Sequence, residues 1–381
     1  MATLFAAAIA AGLGARRALA QCQVAKLLPA DGAAGDGFGW AVSVAGETGV
    51  IGAPGDDDQG SGSGAAYVFE RSANLWVEVA KLTADDAAVD DVFGWSVSVS
   101  GEVAVVGVPY DDDYGARSGS VYVFERSPSG WRQVAKLTPD DAREGDYFGY
   151  STAVSEDVLV VGAPHDDDNG FRSGSAYVFE RDQHGRWTQV AKLLADDGDY
   201  GDKFAYTVAM DTDVIVVGVP DDDDLGDWSG SAYVFERDQS ASWAQVAKLL
   251  ASDGAPLESF GASVAVSANV VVVGAPNAWL GDWYVGAAYV FERAADGAWT
   301  ETAKVMAEDA DLGQSFGSSV GLSGEVVVVG HPATTSRGKG QGQPTRSFDA
   351  RMARGRRWLS SWARTARKVT GSVGASPLVA T

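Results

Sequence analysis

Groups of adjacent aspartates recur along the chain at nearly constant spacing. Residues 161–181 read VGAPHDDDNGFRSGSAYVFER, so three neighbouring carboxylates stand between two apolar segments. Carboxylate oxygens are hard ligands that Ca²⁺ prefers, and aspartates at positions i and i+2 with a glycine close behind allow a tight loop to fold around the ion. Four loops meet this description and predict sites for Ca²⁺ or another hard cation. The predicted ligands are Asp56, Asp58, Asp111, Asp113, Asp166, Asp168, Asp222 and Asp224.

The same loops have a second interpretation, in which aspartate and serine cap turns through their own backbone and keep the loops soluble. Each loop contains only part of a D-x-D-x-D-G ladder, which leaves the choice between a cation site and a solvated turn open. The fifth loop reads NAWLGDW (residues 277–283) and is predicted to bind no ion.

No other group of residues indicates catalysis or an organic cofactor. The three histidines are scattered, and His165 is interpreted as a surface turn residue. G-x-S-x-G, phosphate-loop and dinucleotide motifs are absent from the sequence. The aspartates are too many and too alike to single out an acid and base pair. The sequence therefore predicts no catalytic residue, no cofactor-binding residue and no enzyme.

A repeat of 55 or 56 residues positions these loops. A phenylalanine opens each of six repeats, a proline follows it by 16 residues, and in the first five repeats YVFER begins 13 residues after that proline. A tryptophan then introduces AKL or AKV. The phenylalanines are Phe38, Phe93, Phe148, Phe204, Phe260 and Phe316.

Each repeat contains four strand-length segments rich in Val, Tyr, Phe and Trp, separated by Gly, Asp and Ser. Four strands in about 55 residues is the size of a β-propeller blade, whereas a β-solenoid, the alternative, normally uses shorter coils. We predict an all-β protein, with a β-propeller over residues 21–336 that has five complete four-stranded blades and an incomplete sixth. The tryptophans, and the aromatic residues that follow most of the repeated phenylalanines, are interpreted as blade packing rather than as carbohydrate platforms.

These motifs resemble the FG-GAP repeat, the blade unit of the propeller at the N-terminus of integrin α subunits and of many secreted proteins. The resemblance rests on Phe-Gly, the proline of G-A-P or G-V-P and the YVFE strand, and it covers residues 21–332. It implies adhesion or recognition rather than catalysis. The calcium loop of integrin-like repeats lies between the FG and the GAP, where this chain has SVSGEVAVV (residues 98–106), so its ligands are not carried over.

Two kinds of acidic loop recur: the loops with adjacent aspartates between the second and third segments, called DDD loops, and the loops before the first segment, such as DDAAVDD (residues 85–91). Strand alternation places both on one side of the blades, because antiparallel strands return the chain to the same end. The first 336 residues contain 51 acidic and 19 basic residues, a formal charge of -32. Such a body repels nucleic acids and anionic membranes and attracts cations and basic partners. The sequence predicts a secreted or surface binding module for a protein, a glycan or a cation; the alternative is a propeller-fold hydrolase or lyase that acts on a glycan or another extracellular substrate.

Both ends of the chain differ from the repeats. Residues 1–20 combine an apolar stretch with Ala18-Leu19-Ala20 and are predicted to be a secretion signal, which indicates an extracellular or cell-surface protein; Arg16 and Arg17 leave an organelle transit peptide as the alternative. No apolar run is long enough for a membrane span. The single cysteine, Cys22, excludes an internal disulfide framework.

The last 45 residues, 337–381, carry ten basic residues and one acidic residue. They are predicted to lie outside the propeller, as a disordered segment or an amphipathic helix that contacts acidic surfaces, or to result from a replaced coding end. Residues 23–28, QVAKLL, repeat a fourth-strand sequence and are predicted to lie beside the sixth blade.

Overall fold

The computed structural model of the protein describes residues 25–73, 75–281, 283–307, 315–331 and 351–354. These ranges form five four-stranded antiparallel sheets, one three-stranded sheet and a two-stranded hairpin. Five complete blades and an incomplete sixth of a β-propeller are therefore confirmed. The segments predicted as the N-terminal signal and as the tail lie outside the described residues, apart from residues 351–354.

The strands of each blade follow one another along the chain. The first blade contains β1 (Val42–Ala45), β2 (Thr48–Ala53), β3 (Ala65–Ser72) and β4 (Leu75–Leu82). The second contains β5 (Ser96–Ser100), β6 (Val103–Val108), β7 (Ser120–Ser127) and β8 (Gly130–Leu137). The third contains β9 (Ser151–Ser155), β10 (Val158–Ala163), β11 (Ser175–Arg181) and β12 (Trp187–Leu193).

The fourth blade contains β13 (Thr207–Asp211), β14 (Val214–Val219), β15 (Ser231–Arg237) and β16 (Trp243–Leu249). The fifth contains β17 (Ser263–Ser267), β18 (Val270–Ala275), β21 (Ala287–Arg293) and β22 (Trp299–Val305), with the hairpin β19 (Trp279–Leu280) and β20 (Trp283–Tyr284) in its acidic loop. The sixth contains β23 (Ser319–Ser323), β24 (Val326–Gly330) and β25 (Arg351–Arg354).

The hydrophobic core lies between neighbouring blades. The second strands of the second to fifth blades are apolar on both faces and almost completely buried, because one face packs on the preceding blade and the other on the following blade. Phe148 shows how the repeated phenylalanine joins them. Its ring lies 5.5 Å from the ring of Tyr177 and 5.9 Å from that of Phe179, in a cluster that also contains Val103 and Val123 of the second blade.

Polar contacts hold the blades in register. Ser96 of β5 donates a hydrogen bond of 2.9 Å to the carbonyl oxygen of Gly149, which opens the next blade. At the other end of the strands, the arginine of the second to fifth YVFER strands pairs with the glutamate of the preceding YVFER strand. These pairs are Arg126–Glu70, Arg181–Glu125, Arg237–Glu180 and Arg293–Glu236, at 2.5 to 2.8 Å.

The two ends of the blade series are more exposed than its middle. Val42 and Val44 of β1 are 41% and 52% exposed, whereas the central residues of β5 are buried. The inner strands of neighbouring blades pack side by side from β1 through to β23. In the described ranges, β1 and β23 show no comparable packing with each other. The described residues therefore form a series of six blades and do not show a closed ring.

The described part of the N-terminal segment predicted as a strand, residues 25–28, forms no strand. Leu27 packs on Ile51 and Tyr67 of the first blade, as the equivalent Leu82 packs at the junction of the first blade with the second. The place of this segment beside the sixth blade stays a prediction.

The tail was predicted to lie outside the propeller, whereas β25 pairs antiparallel with β24 as the third strand of the sixth blade. Main-chain pairing completes this edge without the Val, Tyr and Phe pattern of the other third strands. The rest of residues 337–381 lies outside the described residues. Within the described ranges, no helix is long and apolar enough to cross a membrane.

Candidate functional site

The predicted cation ligands of the DDD loops converge, and the group at their centre is a lysine ammonium. In the third blade, Nζ of Lys192 lies 2.6 Å from Asp141, 3.1 Å from Asp166 and 2.5 Å from Asp168. Asp141 comes from the loop that leads into the blade, the other two aspartates from the loop between its second and third strands, and the lysine from β12. We call this arrangement, with the tyrosine described next, the lysine cluster.

A buried tyrosine forms the floor of the lysine cluster. Tyr177 stands directly opposite Lys192 in the pairing of β11 with β12, and its ring centre lies 4.9 Å from Nζ. Its hydroxyl oxygen lies 3.0 Å from Oδ1 of Asp141 and 2.7 Å from Oδ2 of Asp166. Burial raises the pKa of Tyr177, and the charges of the two aspartates raise it further, so the ring remains neutral.

The ionic members of the cluster stabilise each other in their charged forms. Burial alone would lower the pKa of Lys192, but hydrogen bonds with Asp141 and Asp168 outweigh it and raise the pKa. Burial alone would raise the pKa of Asp141, but hydrogen bonds from Lys192 and Tyr177 lower that pKa. The ammonium has three N–H donors and three carboxylate partners, so its hydrogen-bonding capacity is filled.

The first aspartate of the DDD loop also caps the loop. Asp166 is only 4% exposed. Its Oδ1 accepts a hydrogen bond of 3.0 Å from the backbone N–H of Asp168, and its carbonyl oxygen accepts one of 2.8 Å from the N–H of Gly174. Turn capping and convergence of the carboxylates on the lysine ammonium are therefore both present in the same loop. The metal site stays a prediction.

Three other blades contain the same cluster, with lysine to aspartate distances of 2.5 to 2.9 Å. Its members are Lys81 with Asp31, Asp56, Asp58 and Tyr67; Lys136 with Asp86, Asp111, Asp113 and Tyr122; and Lys248 with Asp197, Asp222, Asp224 and Tyr233. All eight predicted metal ligands thus lie in lysine clusters. Three carboxylates against one ammonium leave each cluster with two net negative charges.

The fifth blade contains a reduced form of the cluster. Lys304 lies 2.9 Å from Asp253, and the hydroxyl of Tyr289 donates to the same carboxylate at 2.9 Å. The hairpin β19–β20 replaces the aspartates of the DDD loop. Among the described residues, one aspartate faces the lysine here, which makes this blade a natural control for the other four.

Lys192 and Tyr177 were missed in the sequence because the candidate ligands were sought within single loops. A usable signal was present. A tyrosine of YVFER and a lysine of AKL or AKV accompany the acidic loops in each of the first five repeats, and strand pairing places the two residues opposite each other.

A second row of acids is buried beside the repeated phenylalanines. Each of them accepts a backbone N–H from the residue three positions earlier, at 2.6 to 3.3 Å. They are Asp36, Asp91, Asp146, Asp202 and Glu258. Burial raises the pKa of Asp146 to about 7 and that of Asp202 to about 6, with a further contribution from the aspartates nearby.

We expect the protein to become more stable as the pH falls from about 8 to about 5. The native state takes up protons at Asp146 and Asp202 before the unfolded state does, and each unit of pKa difference is worth about 1.4 kcal/mol. Below about pH 4 the trend should reverse, because Asp141 and its equivalents have lowered pKa values and their stabilisation is lost on protonation.

Urea unfolding at several pH values measures both trends. Asp146→Asn should weaken the dependence of the free energy of unfolding on pH between pH 5 and 8, whereas Asp57→Asn, at an exposed position, should leave this dependence unchanged. A wild-type stability that does not vary with pH in this range would contradict the assignment.

Aromatic side chains connect the inner ends of the first four blades. Trp40, Trp95, Tyr150 and Tyr206 follow one another with ring centres 4.9 to 5.5 Å apart. His165 packs edge-on against Tyr147, and burial lowers its pKa to about 4. These contacts agree with the packing role predicted for the aromatic residues.

The repeats correspond to a known family. A model of the FG-GAP repeat matches residues 22–69, 76–124, 131–179, 187–235, 243–291 and 299–343, which together make up more than half of the chain. The chain belongs to the FG-GAP repeat family. A comparison with curated proteins gave no significant match.

Each FG-GAP repeat is offset from the structural blade by one strand. A matched range begins at the fourth strand of one blade and ends in the third strand of the next. The aspartates and the tyrosine of a lysine cluster thus belong to one repeat, and the lysine belongs to the following repeat. The cluster therefore joins consecutive FG-GAP repeats, which is a structural role in addition to any role in binding.

Proposed function

We propose that this FG-GAP repeat protein is an extracellular or cell-surface recognition module whose acidic loops bind a basic partner protein. The loops before the first strand of the second to fifth blades and those between the second and third strands of the first four blades form what we call the acidic face. It comprises residues 54–64, 83–95, 109–119, 138–150, 164–174, 194–206, 220–230 and 250–262.

The observation that carries this proposal is the incomplete neutralisation of the lysine clusters. One ammonium faces three carboxylates in each of four blades, and the middle aspartate of each DDD loop adds another charge at an exposed position. Repeated negative charge on one face attracts a basic surface over several ångströms and accelerates association. The extracellular location rests on the typical occurrence of FG-GAP repeats in extracellular domains.

The test uses charge-matched variants on opposite sides of the blades. The acidic-face variant changes three exposed aspartates to Asn: Asp57, Asp112 and Asp167. The opposite-face variant changes three glutamates to Gln in the turns at the other end of the strands: Glu47, Glu102 and Glu156. A decalysine peptide serves as the probe in calorimetry at 50 and 150 mM salt. The acidic-face variant should lose about tenfold in affinity and the opposite-face variant less than about twofold.

Equal losses in the two variants, or no binding by the wild-type protein, would refute the proposed basic partner. Turnover of a hydrolase substrate that is lost on changing the acidic-face aspartates to Asn would favour the alternative of an enzyme.

Ca²⁺ binding by the DDD loops is a second candidate, which the convergence of carboxylates favours. Ligand oxygens of Asp141, Asp166 and Asp168 lie within 4.8 Å of one another. Ca²⁺ accepts six to eight oxygens. It would have to replace the ammonium of Lys192, since both cations need the same three carboxylates.

Ca²⁺ should therefore raise the melting temperature more in a Lys192→Met variant than in the wild-type protein, because the variant offers the carboxylates without the competing ammonium. Thermal unfolding with millimolar Ca²⁺, compared with Mg²⁺ and with a chelator, measures the difference. No increase in either protein would leave the lysine as the only cation of the cluster.

A further inference from the structure

A cavity of about 320 Å³ opens on the acidic face between the loops of the fourth and fifth blades. This volume is at the lower end of the range for small-molecule sites, about 300 to 1,000 Å³. Its apolar walls are Tyr200, Trp228 and Leu257, and its carboxylates belong to Asp202, Asp221, Asp223 and Asp227. The cavity is separate from the lysine cluster of the fourth blade, none of whose members lines it.

The rings of the cavity replace non-aromatic residues of the first three blades. Trp228 occupies the loop position held by Gly62, Arg117 and Arg172 in those blades, and Trp228 is 59% exposed. Tyr200 occupies the position of Val89 and Glu144 in the loops before the second and third blades. In the fifth blade the position of Trp228 holds Tyr284, which is less exposed, at 38%. An exposed ring gains when a ligand covers it.

Asp202, which lines the cavity, has one carboxylate oxygen that accepts no hydrogen bond from the described residues. The residue is 7% exposed, and its Oδ2 accepts the N–H of Asp199 at 2.7 Å, which leaves Oδ1 without a donor in the described part of the chain. A ligand N–H⁺ at this oxygen would form a charge-assisted hydrogen bond and would be stabilising.

The charge around the cavity selects a cationic ligand. Lys203 pairs with Asp221 at 2.5 Å, whereas Asp223 and Asp227 have no ion-pair partner among the described residues. Anionic ligands are repelled, and a neutral ligand leaves the carboxylates without compensation. A ligand that combines a protonated nitrogen with an apolar body satisfies both the carboxylates and the rings, since a cation is also attracted to the faces of Trp and Tyr.

We propose that this cavity binds a small protonated organic amine with an aromatic or apolar body, whose ammonium faces Asp202 and Asp223 and whose body covers Trp228. This site goes beyond the proposed recognition of a basic protein, since it requires neither the lysine clusters nor the rest of the acidic face.

The experiment separates the charge of the ligand from its ring. The probes are 2-phenylethylamine, 2-phenylethanol, which lacks the charge, and butylamine, which lacks the ring. Calorimetry on the full chain should show that 2-phenylethylamine binds about tenfold more tightly than either control. If butylamine binds as tightly as 2-phenylethylamine, the proposed role of the aromatic walls is refuted. If 2-phenylethanol binds as tightly, the proposed preference for a cation is refuted.

Variants locate the binding. Trp228→Ala and Asp223→Asn should each lose about tenfold in affinity for 2-phenylethylamine. Tyr114→Ala should change it less than about twofold, because Tyr114 is equally exposed, at 59%, on the same face but does not line the cavity. Affinity that is unchanged in Trp228→Ala, or equally reduced in Tyr114→Ala, would refute the site.

A last comparison separates this site from the proposed function. The triple variant of Asp57, Asp112 and Asp167 should bind 2-phenylethylamine as the wild type does while losing affinity for decalysine. A different result would refute the small-amine proposal: decalysine binds to the wild type but not to the Trp228→Ala variant, and 2-phenylethylamine binds to neither. In that case the cavity accommodates a lysine side chain of the partner protein.

Discussion

Replacing Lys192 with methionine is expected to lower the free energy of unfolding by about 3 kcal/mol, whereas the same change at Lys304 should cost less than about 1 kcal/mol. Removing the ammonium at Lys192 leaves three carboxylates facing one another, one of them, Asp166, almost completely buried. At Lys304, one carboxylate among the described residues loses its partner, that of Asp253, and it is mostly exposed. Methionine retains the unbranched apolar stem of lysine without the ammonium, and the same substitution is made at both sites, so the comparison tests the charge.

Urea unfolding of the two variants at pH 7 measures the difference. The Lys192 variant should regain stability as the pH falls towards 4, because protonation of the remaining aspartates relieves their repulsion. Similar losses in the two variants would mean that the lysine contributes through packing on the tyrosine ring, which both clusters share.

This difference between blades bears on the proposed function. In the fifth blade the lysine, the tyrosine and the entering aspartate still contact one another across consecutive repeats without a DDD loop. The additional aspartates of the other four blades exceed what neutralises one lysine. Their charge is available to a partner, which is the reason for proposing that the acidic face serves recognition.

The blades could be predicted from the sequence because local patterns determine them. The runs of valine in the second strands, the YVFER strands and the constant step between phenylalanines specify strand length and order. The DDD loops were located for the same reason, since an aspartate that caps a turn bonds to a backbone N–H only two residues away.

The centre of the cluster was not predicted because it depends on contacts between distant residues. Lys192 and Asp168 are 24 residues apart and meet only through the pairing of β11 with β12. The strand β25 was missed for a related reason. Its place is set by the open edge of β24, to which any extended backbone can pair, and RMAR has no strand pattern of its own.

Replacing Gly107 with alanine is expected to cost about 3 kcal/mol or more, since the glycine of the G-A-P or G-V-P motif lies where two blades touch. A Cβ at Gly107 would lie under 3.0 Å from the carbonyl oxygen of Gly149 in the next blade, a separation that real Cβ atoms do not show. That carbonyl belongs to the backbone and accepts the hydrogen bond of Ser96, so it cannot move without separating the blades.

Gly330 provides the matched control because it holds the same place in the sixth blade. A Cβ at Gly330 would meet the hydroxyl of Ser319, as one at Gly107 would meet the hydroxyl of Ser96, but no backbone of a following blade lies within 4 Å of it in the described residues. Gly330→Ala should therefore cost less than about 1 kcal/mol, because the hydroxyl of Ser319 can rotate away from the new methyl group. Urea unfolding of both variants tests the contrast. Equal stability of the two would show that blade contact does not require glycine at this position, whereas a folded Gly330→Ala beside an unfolded Gly107→Ala would agree with the expected order.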